Sequence, residues 1–376
     1  MFSRWGYLNA MAWKEARRAG EAEQVDADRR RGRGAVSNAT GRFEPERRER
    51  FDDGWESLGE LEPFKTEVRD EVVKSVISTN CSPDLGFDRS LNPYRGCEHG
   101  CIYCYARPSH AYWGYSAGLD FETKLTAKVN AAEVLERELS RPGYSPATLV
   151  LGANTDAYQP VERERRITRG VLDVLDRFGH PVAIVTKSAL VVRDVDILSR
   201  LAARGLVKVT LSVTTLDRAL ARKMEPRAST PDRRIEAIRQ LSAAGVPVAV
   251  LTAPLIPAIN DHELERILAA CASAGASEAG YVLLRLPLEI AGLFQEWLGS
   301  EFPDRASRVM SLVRGARGGK DYVSRFGERQ TGTGPYADQI AARFQVALKR
   351  TGLNLRHLTL RTDLFRPPGG VQLNLF

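Results

Sequence analysis

From about residue 88 onward, short apolar runs alternate with amphipathic segments. The runs are ATLVLG (147–152), PVAIVT (181–186), VKVTLSV (207–213), VPVAVLT (246–252) and GYVLL (280–284). Each is apolar on both faces and bounded by turn residues, as the strands of a buried parallel sheet are. Between them lie ITRGVLDVLDRF, VDILSRLAARG, RRIEAIRQLSAAG and ELERILAACASAG. Their apolar residues recur every three or four positions, and three of them close on Gly, so they predict helices. NAAEVLERELSRPG, ahead of the first run, fits the same plan with Asn130 as its N-cap. The alternation predicts an α/β fold, a (β/α) barrel either open or closed.

Ligand sites in such barrels lie at the C-terminal ends of the strands. That directs attention to Asn154, Thr155 and Asp156, to Lys187 and Ser188, to Thr214 and Thr215, to residues 254–261 and to Arg285. Polar groups there need a partner or a ligand. Outside the rhythm, residues 14–50 are rich in charge, Gly and Ala, which predicts a mobile N-terminal arm.

The formal charge of +7 is uneven, because residues 1–50 hold twelve Lys/Arg against eight Asp/Glu. The rest is nearly neutral, which argues against a broad electrostatic grip on nucleic acid. The longest apolar stretch, Val246–Ile259, is too short to span a bilayer and holds Pro247, Pro254 and Pro257. A soluble, cytoplasmic monomer without a membrane partner is expected.

Five cysteines are too few for a disulfide scaffold, and three of them fall in SLNPYRGCEHGCIYCYARPSH as Cys97-x3-Cys101-x2-Cys104. Three thiolates on one loop can converge on one metal centre. A zinc site would recruit His99 or His110. A [4Fe–4S] electron carrier would need Cys81 or Cys271. A third possibility leaves one iron open to a small molecule.

Cys-x3-Cys-x2-Cys with Tyr103 before its last cysteine resembles the radical S-adenosylmethionine (SAM) superfamily. NPYRGCEHGCIYCYAR, GANTDAYQPVE, VTKS, SVTT, MEPRA and APLIPAIND extend the likeness to its spore photoproduct lyase-like, or "DNA repair photolyase", branch. The resemblance covers roughly residues 70–340. It implies a partial (β/α)6 barrel over 70–290, an arm over 1–60 and a C-terminal extension over 291–376 that closes the barrel. Cys97, Cys101 and Cys104 would hold a [4Fe–4S] cluster whose fourth iron chelates the amino and carboxylate groups of S-adenosyl-L-methionine. Tyr103 would lie against the adenine, and Asn154, Thr155 and Asp156 stand where the superfamily grips the methionine amino group. Lys187 would pair with the methionine carboxylate, Ser212 and Thr214 would reach the ribose or carboxylate, and Pro257 and Asn260 would shape the turn beside the adenine.

The implied activity is reductive cleavage of SAM to a 5′-deoxyadenosyl radical that abstracts hydrogen, with no general base, so Glu225 and Asp261 receive no acid–base role. An external one-electron reductant of flavodoxin or ferredoxin type is implied. The substrate is unassigned. A modified nucleic acid comes first, a protein or small metabolite second, and a non-enzymatic zinc or iron–sulfur protein is the competing class. Cys81 is a candidate hydrogen donor, although its spacing does not match the donor of the spore lyases. The segment 317–344 reads as a loop and helix carrying Arg325 and Arg329 toward substrate. For nucleic acid, the candidate contacts are Arg29, Arg30, Arg31, Arg33, Arg47 and Arg48 in the arm, and Arg314, Arg317, Lys320, Arg325 and Arg329 near the C-terminus.

Overall fold

β-Branched and apolar residues build the main sheet where the sequence pattern places them. In the computed structural model, which describes residues 24–45 and 62–367, ten strands follow in chain order. They are β1 (Glu67–Glu71), β2 (Ser78–Thr79), β3 (Arg89–Leu91), β4 (Tyr94–Arg95), β5 (Lys124–Lys128), β6 (Leu149–Leu151), β7 (Val182–Thr186), β8 (Val207–Ser212), β9 (Val248–Leu255) and β10 (Glu278–Leu283). Six of them pair in parallel in the order β3-β6-β7-β8-β9-β10, with β2 antiparallel on the outer edge of β3. β3 and β10 do not pair, so the barrel stays open on that side. This is the partial barrel of six strands.

The crossovers are helices: α1 (Ala131–Leu139), α2 (Ile167–Phe178), α3 (Val195–Ala203), α4 (Pro231–Ala243) and α5 (Leu264–Ser273). In α2, Ile167, Val171, Leu172, Leu175 and Phe178 are buried against the sheet, the stripe that the three-and-four spacing predicts. Strand residues alternate accordingly. Leu149 and Leu151 pack outward beneath the helices, whereas Val150, Val185, Leu251 and Val282 face the barrel interior and line a cavity. Asn130 does occupy the N-cap position of α1, but it caps nothing with its side chain. Its amide instead exchanges two hydrogen bonds with the backbone of Val73 (2.9 and 3.0 Å).

Three further helices follow: α6 (Ile290–Glu301), α7 (Pro303–Gly315) and α8 (Pro335–Thr351). Two C-terminal stretches pack on the barrel at different places. Gln330 O accepts from Leu283 N (2.9 Å), so the segment before α8 covers the free edge of β10. Beyond α8 the chain crosses the opposite end of the barrel, where Asn354 N donates to Ser277 O and Arg366 N to Phe178 O.

The arm expectation needs correcting for residues 24–45. This stretch is packed, with Arg33, Ala35, Val36 and Ser37 buried. Its glycines and alanines are what permit the close approach. A Cβ on Gly34 would lie 1.8 Å from the carbonyl oxygen of Gly100, inside the cysteine loop. The segment also satisfies a buried acid, because Gly34 N and Ala35 N donate to the Glu122 carboxylate (2.9 and 2.8 Å), whose countercharge is Arg107. Arg47 and Arg48 lie outside the described residues. Among the described residues, no helix is long and apolar enough to cross a membrane.

Candidate functional site

The cysteine loop starts where a second, smaller sheet ends. β4 pairs antiparallel with β5, and β5 pairs in parallel with β1. Arg95 on β4 is held by Glu71 on β1 through two hydrogen bonds (2.8 and 3.0 Å). The chain then turns through Gly96 into Cys97, whose amide donates to Phe121 O (2.9 Å). Successive turns bring Gly100 N to Cys97 O and Cys104 N to Cys101 O. The loop is thereby wound so that Cys97, Cys101 and Cys104 all line the one cavity of about 590 Å³, a volume typical of small-molecule sites.

Three devices fix this loop. Arg107, fully buried, donates to the carbonyls of Cys101, Gly100, Ala117 and Gly118, and pairs with the equally buried Glu122. Ile102 sits in an apolar nest with Met224, Phe294 and Trp297, and its amide donates to Met224 O (3.1 Å). From the other side Arg33 bonds Glu122 O, Phe64 O and Thr66 Oγ1 (each 3.0 Å), which lays the N-terminal segment against the loop.

Burial pushes the Cys97 thiol well above its usual range, and Asp156 and the other two cysteines add to it. Burial raises Cys101 as well. Thiols this disfavoured as bare anions are suited to a cationic metal centre, which supplies the missing charge. Among the described residues no three His, Cys, Asp or Glu side chains converge as a single ion would require. Three thiols on one cavity wall are the donor type that an iron–sulfur cluster takes. His99 is engaged by Asp156 (Nδ1–Oδ2 3.3 Å), and His110 is boxed between Tyr115 and Phe121. Cys271 is buried in the main apolar cluster. Cys81 is exposed, on a loop whose neighbours Asn80 and Ser82 line the cavity while Cys81 itself does not.

Of the expected SAM contacts, Tyr103, Asn154, Asp156, Lys187 and Ser212 line the cavity. Lys187 Nζ stands 5.7 Å from the centre of the Tyr103 ring. Asp156 already accepts four hydrogen bonds or contacts: Tyr158 N (2.8 Å), Thr186 Oγ1 (2.7 Å), Lys187 N (2.8 Å) and the His99 ring. Burial alone would raise its pKa, but His99 and these donors outweigh it and hold the carboxylate well below the usual range. Its acceptor sites are filled, so it positions the Lys187 backbone and His99.

Thr155, Thr214, Pro257 and Asn260 do not line the cavity. The Thr155 hydroxyl donates to Tyr94 O (2.7 Å) and that of Thr214 to Glu225 (2.9 Å). Asn260 ties its own turn together through Ile256 N, Thr214 O and Pro254 O. The sequence reading gives Glu225 no acid–base role. Here it is a buried hub, joined to Arg234, Thr214 and the Tyr103 hydroxyl. Arg227 pairs with Glu98 (2.6 Å). Tyr105, Gln330 and the loop carrying Leu85 and Phe87 line the cavity without any sequence signal for it.

The profile of the radical SAM superfamily matches residues 91–271. An uncharacterised protein of Mycobacterium tuberculosis (strain H37Rv) is 37% identical over 232 residues, 61% of this chain and 68% of that one. One of Methanocaldococcus jannaschii is 27% identical over 173 residues, 46% of this chain and 62% of that one. Spore photoproduct lyase complexed with dinucleoside spore photoproduct has the same fold, with a TM-score of 0.54 at 14% identity over 76% of this chain and 79% of that one. The chain belongs to the radical SAM superfamily, and its cofactors are a [4Fe–4S] cluster and S-adenosylmethionine.

Proposed function

We propose that Cys97, Cys101 and Cys104 hold the cluster, that SAM lies along the ends of β6, β7 and β8, and that the substrate is a modified nucleic acid. One observation carries the reading: the three thiols, Lys187 and Ser212 line a single cavity at the C-terminal ends of the parallel strands. When bound, the cofactors supply a 5′-deoxyadenosyl radical for hydrogen abstraction. This chain's own residues bind and orient. Lys187, a compact cation held by its backbone on Asp156, faces the methionine carboxylate. The Asn154 amide, on the cavity wall after β6, takes the methionine amino group. Tyr103 is fixed from behind by Glu225 and Arg234, so its face is set for the adenine.

The apolar interior from Val150, Val185, Leu251 and Val282 keeps water from the reacting centre. An external flavodoxin or ferredoxin supplies the electron. A nucleic acid substrate is supported by the lyase of like fold, whose complex holds a dinucleoside spore photoproduct, and by Phe87 and Tyr105 on the cavity wall. A flipped or single-stranded nucleotide is required, because a stacked base cannot enter such a cavity. With dithionite, the reconstituted protein should cleave SAM to 5′-deoxyadenosine and methionine, and Cys101→Ala should abolish it. Undiminished cleavage in that variant refutes the assignment.

A further inference from the structure

The wall beside β10 differs from the cofactor side. Arg285, just past β10, lines the cavity, and so does Arg329. Arg317 lies buried next to them. Two of these three guanidiniums are fully accounted for. Arg317 donates to the carbonyls of Leu283, Leu284 and Glu328, clamping the end of β10. Arg329 reaches across the cavity rim to Asp84 with two hydrogen bonds (2.6 and 2.5 Å).

Arg285 has no carboxylate partner among the described residues. Its terminal nitrogens make only long contacts, 3.3 Å to Gln330 Oε1 and 3.4 Å to Tyr322 OH, and its buried Nε has no acceptor. The guanidinium stands over the rings of Tyr105 and Tyr322 (5.3 and 5.9 Å). Its charge is felt nearby, since burial first and Arg285 second push Arg317 down to about 10. Half-buried cations left in excess at a cavity wall call for an anion.

We propose that Arg285 anchors an anionic group of the substrate, a nucleotide phosphate, with the adjoining base on the face of Tyr105. This rests on the cavity being the reaction chamber. Tyr105 follows Cys104 directly in the chain, so an anchored ligand is placed next to the cysteine loop. The competing anion is the carboxylate of SAM. Lys187 follows the end of β7, and three strand steps separate β7 from β10 in the sheet, about 14 Å along its curve at ~4.8 Å per step. SAM affinity in an Arg285 variant separates the two anions.

The test uses anaerobic holoprotein loaded with SAM, with cluster content as the folding control. Calorimetric titrations compare inorganic phosphate, thymidine monophosphate and thymidine on wild type, Arg285→Gln and Arg285→Lys. Arg285→Gln should weaken both phosphate ligands by about 10- to 100-fold, the range of a lost charge-assisted hydrogen bond. Thymidine and SAM affinities should stay as in wild type, and Arg285→Lys should recover part of the loss. Phosphate that fails to bind wild type, or binds Arg285→Gln equally well, overturns the anion subsite. An equal loss of SAM affinity in Arg285→Gln assigns the guanidinium to SAM and also overturns it. If phosphate binding depends on Arg285 but the thymidine moiety adds no affinity, the subsite stands and the nucleotide reading falls.

Discussion

The two walls of the cavity handle charge in opposite ways. On the cysteine side four carboxylates each have a basic partner: Asp156 with His99, Glu225 with Arg234, Glu122 with Arg107 and Glu98 with Arg227. On the β10 side, among the described residues, Arg285, Arg317 and Arg329 have one carboxylate partner between them, Asp84, which Arg329 holds. A closed set of pairs is rigid before any ligand arrives, which suits groups that must hold a cofactor in fixed geometry. An open set leaves one cation to be completed by whatever enters.

The largest effect should come from opening a pair on the matched wall. Glu122→Ala would leave Arg107 buried without its partner and free the amides of Gly34 and Ala35. Breaking such a pair costs about 3–5 kcal/mol, so a large drop in thermal midpoint and poor iron loading are expected. Gly34→Val should act alike through its clash with Gly100. Normal iron content in both variants would show that the matched wall does not organise the loop.

Next in size is Asp156→Asn, which keeps the shape but weakens the hold on His99 and the Lys187 backbone. SAM affinity should fall roughly tenfold, within the span of one hydrogen bond to a charged group, while iron and sulfide stay at wild-type levels. Equilibrium dialysis with labelled SAM checks this.

A smaller effect concerns pH. Burial pushes Glu296 up from 4.5 to about 7, partly opposed by the Ser37 hydroxyl (2.5 Å) that ties the N-terminal segment to α6. Below about pH 4.5 both folded and unfolded chains keep this proton. Between there and about pH 7 only the folded chain keeps it, so stability falls as pH rises through that window and levels off above. Hydrogen exchange at residues 33–38 should quicken from pH 5 to 7.5, after correction for intrinsic rates, and Glu296→Gln should remove the trend. Least of all should matter Arg325→Ala, whose exposed pair with Glu328 lies outside the cavity lining. Phosphate titrations should not distinguish it from wild type.

This contrast also separates what the sequence discloses from what it hides. β6 to β9 are legible because their apolar runs are largely buried, and β10 because its run stays apolar although five of its six residues are only half-buried. β3 is three residues (RSL) and β1 reads EVRDE, so neither shows a hydrophobic pattern, yet β3 opens the barrel and β1 braces the start of the cysteine loop. The cysteine spacing exposes the chemistry of the loop but not its supports. Gly34 and Arg33 look like solvated arm residues because their partners, Glu122 and the Gly100 carbonyl, are distant in sequence. Thr155, Thr214 and Asn260 stand at strand ends as ligand contacts would, but each spends its polar atoms on the backbone or on Glu225. The basic residues picked for nucleic acid fare the same way. Arg314 pairs with Asp321, Arg329 with Asp84, and Arg317 is buried.

The most direct test is the electron paramagnetic resonance spectrum of the reduced, reconstituted protein as SAM is added. If the three cysteines leave one iron open beside Lys187, the cluster signal shifts on SAM addition in wild type and in Arg285→Gln alike, and Cys101→Ala gives no such cluster signal. A fully loaded wild-type cluster whose spectrum is indifferent to SAM would contradict the account.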